Sequence, residues 1–133
     1  MMTITSEIIK AIIDQAENEL PFEACGYLAG DGDVVTTHFP LKNIDQARDH
    51  FTMDPAEQFQ TVKAMRQAGL KLHAVYHSHP ETPARPSDED LKLAYDPTIS
   101  YVIISMAAAD PVVKSFIIKN GEATPETIQI KEQ

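Results

Sequence analysis

The chain has 133 residues, of which 43% are hydrophobic and 23% are charged, and this balance excludes a disordered polymer. Its formal net charge of −9 disfavours nucleic acid as a partner, because repulsion from phosphates removes the main source of that affinity. No apolar run approaches the roughly 20 residues of a membrane helix, so we expect no membrane partner and a single domain spanning residues 1–133.

The N-terminal segment predicts an amphipathic helix over residues 6–20. Apolar residues recur there at helical spacing, Thr5 or Ser6 can cap the first turn, and Pro21 ends the helix. Residues 1–7 carry no basic region ahead of an apolar stretch, which argues against a signal peptide.

A hairpin is predicted next, from a strand at 23–29, a turn at 30–33 and a returning strand at 34–39. The single cysteine, Cys25, lies in the first of these strands, where we expect it to pack as a small hydrophobic side chain rather than act as a nucleophile. Because a lone cysteine cannot form an internal disulfide, the composition fits a reducing compartment, and we expect a cytoplasmic protein.

Residues 40–53 give a weaker pattern, which predicts an irregular connection with a short strand near Phe51. The helix that follows is well marked, since Asp54 can cap it, Glu57 completes a capping-box pattern and Gly69 marks its end. One face of this helix carries an apolar stripe that we expect to pack in the core, formed by Phe59, Val62 and Met65.

The second half of the chain predicts a strand from 71 to 77, a stiff proline-containing loop, and a short helix capped by Ser87 and running to Tyr95. The remaining predicted elements are strands at 99–106 and 112–118, a turn at Asn120-Gly121 and a final strand near 127–130. Strands interleaved with three helices predict an α/β fold with a sheet layered by helices.

The segment that carries chemistry begins at His77 and reads His-Ser-His-Pro; after six further residues comes Ser87, and two residues later Asp90. Residues i and i+2 of a strand project from the same face, so His77 and His79 can bind one ion, and Asp90 can join them if the loop folds back. Two imidazoles and one carboxylate are typical of a catalytic zinc site, which leaves a fourth position for water.

Hydrolysis also requires a group that takes the proton of water and returns it to the leaving amine. We favour Glu23, although spacing alone does not separate it from the other carboxylates. Ser87 can donate its hydroxyl to the oxyanion, and it also has the ordinary interpretation of a helix cap. The isolated histidines, which we interpret as surface or hydrogen-bonded residues, are His38, His50 and His73.

These residues resemble the signature of the JAMM metalloproteases, also called the MPN+ domain: an upstream Glu, then His-Ser/Thr-His-Pro, six residues, Ser, two residues and Asp. The matching positions are Glu23, His77, Ser78, His79, Pro80, Ser87 and Asp90. The resemblance implies a cytidine-deaminase-like fold, with a curved mixed β-sheet flanked by helices and zinc at the end of a strand. It also implies the glutamate as general base and the serine as oxyanion donor.

The compact chain resembles the short prokaryotic members most closely. That resemblance implies a peptidase or isopeptidase that cleaves after the C-terminal Gly-Gly of a ubiquitin-like sulfur-carrier protein of the β-grasp fold, whose tail can add as a strand beside the site. Related domains often pair, so a homodimer is also implied.

Two other functions are compatible with this fold. A non-catalytic interaction scaffold of the same family would have lost metal ligands, and here all of them are present. A zinc deaminase would show His-x-Glu followed by Pro-Cys-x-x-Cys, and neither pattern occurs.

Overall fold

The computed structural model describes residues 1–132, which form three helices and nine strands. The helices are α1 (Ser6–Glu19), α2 (Pro55–Gln67) and α3 (Asp88–Leu93). The strands are β1 (Met2–Thr5), β2 (Cys25–Gly30), β3 (Val34–Val35), β4 (Thr37–Leu41), β5 (Lys71–His79), β6 (Ser100–Ser105), β7 (Val112–Lys119), β8 (Glu122–Glu126) and β9 (Ile128–Lys131). Within the described residues, no helix has the length and apolar character that crossing a membrane requires.

The main sheet has six strands in the order β4-β2-β5-β6-β7-β8. Strands β5 and β6 run parallel, while the other neighbouring pairs run antiparallel. A second sheet of three short parallel strands has the order β3-β1-β9. The mixed sheet with its flanking helices confirms the predicted α/β architecture, whereas the likeness to cytidine deaminases stays a prediction.

Helix α1 covers one face of the main sheet. Thr5 caps it by accepting the Ile8 N–H at 3.3 Å, in agreement with the prediction. Its buried stripe is Ile8, Ile12 and Ala16, which pack against Leu28, Tyr76, Val102 and Ile104 of the sheet. Burying each isoleucine contributes about 1.5–3 kcal/mol, so this layer is a main source of stability.

Helices α2 and α3 cover the opposite face, and here one prediction is wrong. Phe59 is 71% exposed, although its stripe partner Met65 is only 2% exposed. The side chains that face the sheet are instead spaced i, i+4, i+7: Gln58, which donates to the Tyr27 hydroxyl at 3.0 Å, then Val62 and Met65. Phe59 is rotated by about 100° from that line and therefore points to solvent.

The predicted hairpin forms only in part. Strand β4 pairs antiparallel with β2, as expected, but Val34 and Val35 leave the hairpin and pair parallel with β1. Strand β1 had not been predicted. The two valines satisfy their backbone groups on this additional strand, which the sequence pattern near the N-terminus did not reveal.

The connection 42–54 lacks regular structure apart from an isolated bridge between Asn43 and Met53. Asp54 caps α2 as predicted, by accepting the Ala56 N–H at 3.1 Å. The carboxylate of Glu57 accepts the Lys42 N–H at 2.9 Å, so it ties the connection to the helix instead of completing a capping box.

The last third of the chain follows the predictions more closely. Strands β6 and β7 lie at the predicted positions, and Asn120 and Gly121 have φ values of 52° and 76°, as the predicted turn requires. Strand β8 had not been predicted, and it fills the chain between that turn and β9.

Gly26 provides a test of the contact between β2 and β5. A Cβ at this position would collide with the Tyr76 hydroxyl and lie 2.5 Å from the Phe39 carbonyl oxygen. We expect Gly26→Ala to lower the free energy of unfolding by about 2–3 kcal/mol, measured in urea, because neither the backbone nor a buried ring can move away cheaply. Gly69→Ala is the control: its φ is +72° but no atom lies within 4 Å, so a loss of about 1 kcal/mol is expected. Equal losses would contradict the steric explanation.

Candidate metal centre and catalytic site

Three possible metal ligands converge at the C-terminal end of β5. His77 and His79 project from the same face of the strand, and each is only 4% exposed. Their Nε2 atoms are 3.0 Å apart, and each lies 3.1 Å from Oδ2 of Asp90. The structure therefore brings together the three residues that the motif predicted as ligands.

Asp90 reaches this position through a local capping motif. Ser87 caps α3 by accepting the Asp90 N–H at 3.1 Å, and the Asp90 carboxylate accepts the Ser87 N–H at 2.9 Å in return. This reciprocal pair of bonds fixes the carboxylate at the start of the helix. The same two residues thus begin the helix and present Oδ2 to the histidines.

The histidine rings are oriented by contacts on their other sides. Nδ1 of His79 lies 2.9 Å from the Pro83 carbonyl oxygen, which can only accept, so Nδ1 carries a proton and Nε2 is the nitrogen available to a metal. The ring of Phe51 stacks on His77 with a centroid distance of 4.8 Å and an interplanar angle of 29°. Such outer contacts hold ligand rings in the geometry that a metal needs.

The spacing of the three donor atoms fits a divalent ion. Ligands of a tetrahedral ion with bonds of about 2.0–2.1 Å are roughly 3.3 Å apart, close to the separations found here. Burial acts to raise the pKa of Asp90, but its hydrogen bonds with His77 and His79 outweigh that effect and hold the pKa below its usual range. An ionised carboxylate and two imidazoles are a donor set that suits zinc.

Glu23 lies just before β2 with its side chain buried. It is 4% exposed, and its Oε1 has no hydrogen-bond partner among the described residues. Burial raises its pKa to about 8, and the weaker effects of His79, which lowers the pKa, and Asp90, which raises it, show that the carboxyl lies close to the ligands. A desolvated carboxyl with a pKa near neutrality is suited to accept and return a proton.

Ser78 connects Glu23 to the ligand strand. Its hydroxyl accepts the Ala24 N–H at 2.7 Å, and its own N–H donates to the Ala24 carbonyl at 2.9 Å. The residue between the two histidines therefore holds the chain immediately after Glu23 against the end of β5. The sequence motif identified Ser78 but not this role.

The hydroxyl of Ser87 is exposed, and its oxygen accepts the cap bond, so its proton is free to be donated outward. Its assignment as oxyanion donor stays a prediction. Cys25 lies opposite His77 in the sheet, is fully buried, and has its Sγ 3.6 Å from the Leu41 carbonyl oxygen. Burial raises the pKa of its thiol to about 12, so it packs as a hydrophobic side chain, as expected.

The isolated histidines stay outside the ligand group. His50 is hydrogen-bonded to Asp45 and Asp49 on the surface, and Nε2 of His73 lies 2.8 Å from the Gly32 carbonyl oxygen. Both interactions agree with the interpretation as surface or hydrogen-bonded residues.

An apolar groove of about 590 Å³ adjoins the ligands between α2 and α3. Besides His77 and Asp90, its floor and walls include Tyr27, Phe51, Val75, Tyr101, Ile103 and Ile118. Leu93 and Tyr95, at the end of α3, form an exposed part of its rim. Its volume and apolar lining are suited to a peptide segment beside the candidate ligands.

The sequence did not identify Asn43 as a residue that organises the site, and it did not predict that Phe51 stacks on His77. Both lie in the segment interpreted as irregular. The available signal was local: an asparagine two residues before an aspartate can form a turn through its side chain, and Oδ1 of Asn43 does accept the Asp45 N–H at 3.2 Å.

Known proteins resemble this chain over most of its length. Residues 5–118 match the family described as prokaryotic homologs of the JAB domain. The CysO-cysteine peptidase of Mycobacterium tuberculosis is 33% identical over 138 residues, which cover 100% of this chain and 93% of that protein. The desampylase of Haloferax volcanii is 38% identical over 93 residues, or 68% of this chain and 67% of that protein. The solution structure of protein DSY2949 from Desulfitobacterium hafniense superposes with a TM-score of 0.90 at 48% identity, covering 100% of this chain and 94% of that one.

The buried carboxyl of Glu23 makes a prediction for the metal-free protein. Its pKa rises from 4.5 to about 8 on folding, so the unfolded chain releases the proton first and stability falls as pH rises through this window. We expect chelator-treated Glu23→Gln to be about 4 kcal/mol more stable than the parent at pH 8 and nearly equal to it at pH 4.5, measured by urea unfolding. The exposed Glu17→Gln is the control and should show no such trend. A pH-independent difference for Glu23→Gln would contradict the buried neutral carboxyl.

Proposed function

Since this chain belongs to the prokaryotic JAB-domain family, we propose that it is a zinc-dependent peptidase or isopeptidase that hydrolyses the bond after the C-terminal Gly-Gly of a ubiquitin-like sulfur-carrier protein. Membership confirms the family that the motif indicated, and its named relatives are peptidases and conjugate-cleaving enzymes of the JAMM type. The chain is accordingly a JAMM-type peptidase. Zinc, the substrate and the roles of the individual residues are our proposals.

The convergence of His77, His79 and Asp90 within 3.1 Å of one another is the observation that carries the proposal. Two imidazole nitrogens and a carboxylate oxygen that point their lone pairs at one another repel unless a cation or protons lie between them. A structural zinc site uses four protein ligands, whereas this one offers three and adjoins an open groove. That combination supports catalysis over a purely structural metal.

When bound, zinc supplies an activated water and polarises the scissile carbonyl. Glu23 takes the proton from the water at its carboxylate and returns it to the nitrogen of the leaving amine. Burial raises the pKa of the Glu23 carboxyl to about 8 in the absence of metal, and this favours capture of a proton. The positive charge of a bound metal would lower that pKa, which favours release of the proton to the amine.

Ser87 stabilises the charge that develops on the carbonyl oxygen. Its hydroxyl proton is not used by the helix cap, since the cap bond is accepted by the oxygen. The bonds between Ser87 and Asp90 keep this donor beside the ligands. One serine therefore serves the helix terminus and the oxyanion at the same time.

The relatives' names describe a CysO-cysteine peptidase in one case and, for Thermus thermophilus, a probable TtuB-protein conjugate cleaving protease. For this chain, the apolar groove supports a substrate with a flexible tail, because an extended segment can reach the ligands at its end. Glycines before the scissile bond suit such a site, since they allow close approach of the backbone.

No observation favours the scaffold alternative, because the complete ligand set and the buried Glu23 have no evident use in a protein that only binds. Pairing into a homodimer and a cytoplasmic location both stay predictions.

Cleavage of a carrier protein tests the proposal directly. The zinc-loaded protein should remove a short C-terminal extension placed after the Gly-Gly of a β-grasp carrier, followed by intact mass spectrometry. Glu23→Gln should keep its zinc but lose at least about 10³-fold in kcat, and Asp90→Ala should lose the zinc itself, measured by elemental analysis. Intact substrate with fully loaded protein, across several carriers, would contradict the substrate assignment; full zinc content in Asp90→Ala would contradict the ligand set.

The oxyanion role of Ser87 can be separated from its capping role. Glycine is nearly as good an N-cap as serine, at a difference of a few tenths of a kcal/mol, but it has no hydroxyl. Ser87→Gly should therefore keep the melting temperature and zinc content while kcat falls about 10²-fold. An unchanged kcat would leave Ser87 with the cap alone.

A further inference from the structure

The connection between β4 and α2 is organised by one buried side chain, that of Asn43, which is 3% exposed. Its Nδ2 donates to the carbonyl oxygens of Glu23 and His50, each at 3.1 Å. Its Oδ1 accepts the N–H groups of Asp45 at 3.2 Å and Thr52 at 3.1 Å. Both amide hydrogens and both acceptor positions are thus used inside the protein.

The first consequence concerns Glu23. Its carbonyl oxygen is held by Asn43, and its N–H donates to the Ala47 carbonyl at 2.8 Å in the same connection. The backbone of Glu23 is therefore held on both sides by residues 43–47. Because Oε1 of its carboxyl has no partner of its own among the described residues, this backbone placement is what positions the carboxyl.

The second consequence concerns His77. The bond from Thr52 to Asn43 closes the connection, and the Ile44 N–H donates to the Thr52 carbonyl at 3.0 Å. This closure places the neighbouring Phe51 on the ring of His77 at 4.8 Å. One amide thus fixes the residue proposed as the base and the aromatic support of a proposed ligand.

We propose that Asn43 is a positioning residue of this active site, which sets the place of Glu23 relative to the ligand histidines through its bond to the Glu23 carbonyl and its closure of residues 43–52. The inference rests on the proposed function for its kinetic consequence. A displacement of about 1 Å in a proton-transfer group can reduce the rate 10²-fold while leaving substrate contacts intact. The effect of losing Asn43 should therefore fall on kcat rather than on KM.

Two substitutions and one control isolate this role. Asn43→Ala removes all four bonds, whereas Asn43→Asp keeps the two accepted bonds and loses the two donated ones. Glu126→Ala is the control: its carboxylate accepts hydrogen bonds from Ser115 at 2.6 Å and from Ser100, so it also removes a partly buried polar anchor. Ser100 lies at the opposite end of β6 from Ser105, which pairs with His79, so the control is about 16 Å from the site.

The test combines kinetics on a carrier substrate with measurements of zinc affinity and of amide hydrogen exchange. In both Asn43 variants, kcat should fall about 10–100-fold with KM within about 3-fold of the parent, and zinc should bind about 10-fold more weakly. Amide hydrogen exchange should accelerate at Glu23 in both variants, and at Thr52 more strongly in Asn43→Ala than in Asn43→Asp. Glu126→Ala should match their loss of unfolding free energy and keep kcat, zinc affinity and exchange at these two amides.

Parental kcat in Asn43→Asp would overturn the inference, because the lost bond to the Glu23 carbonyl would then have no effect on the reaction. A loss of kcat in Glu126→Ala equal to that in Asn43→Ala would also overturn it, because activity would then follow global stability. If the parent protein cleaves no carrier, the proposed function fails, and zinc affinity and exchange still decide the matter. Unchanged values in both would then refute a positioning role for Asn43.

Discussion

The structure depends on one constraint: ionisable groups that water would normally solvate are brought together at the end of β5, largely shielded from solvent. Two imidazoles and two carboxyl groups lie close together there, and Oε1 of Glu23 lacks a hydrogen-bond partner among the described residues. The loss of solvation of these groups opposes folding. A divalent cation would offset that cost when bound, so the site and its metal have to be understood together.

Three local devices keep these groups in place. Ser78 holds the chain after Glu23 against the ligand strand, and the Ser87–Asp90 capping box directs the Asp90 carboxylate toward the histidines. The side chain of Asn43 closes the connection that holds Glu23 and Phe51 in place. Each device satisfies backbone groups that irregular chain would otherwise leave unpaired. Among these ionisable groups, only the two histidines lie within a regular strand, β5. The others lie at the boundaries of helices and strands, where hydrogen bonds from side chains to the backbone replace those of a regular helix or sheet.

The sequence predicted what depends on neighbours along the chain. Alternation in β5 placed both histidines on one face, and the spacing from Ser87 to Asp90 predicted a helix start; both features are present. Contacts between distant segments escaped prediction: β1 pairs with β9 and takes Val34 and Val35 from the hairpin. Phe59 was misjudged because apolar spacing favours it over Gln58, whereas in the structure Gln58 takes the inward position and donates to the Tyr27 hydroxyl. Glu23 was chosen by family resemblance, since its burial is a tertiary property.

The burial of Cys25 has a practical consequence. Alkylating reagents attack exposed thiolates, and this sulfur is neither exposed nor ionised near neutral pH. Treatment with iodoacetamide can therefore silence contaminating thiol peptidases in a preparation while leaving this chain chemically intact. Residual cleavage that survives alkylation and disappears with a chelator would then come from a metal-dependent peptidase and not from a thiol peptidase.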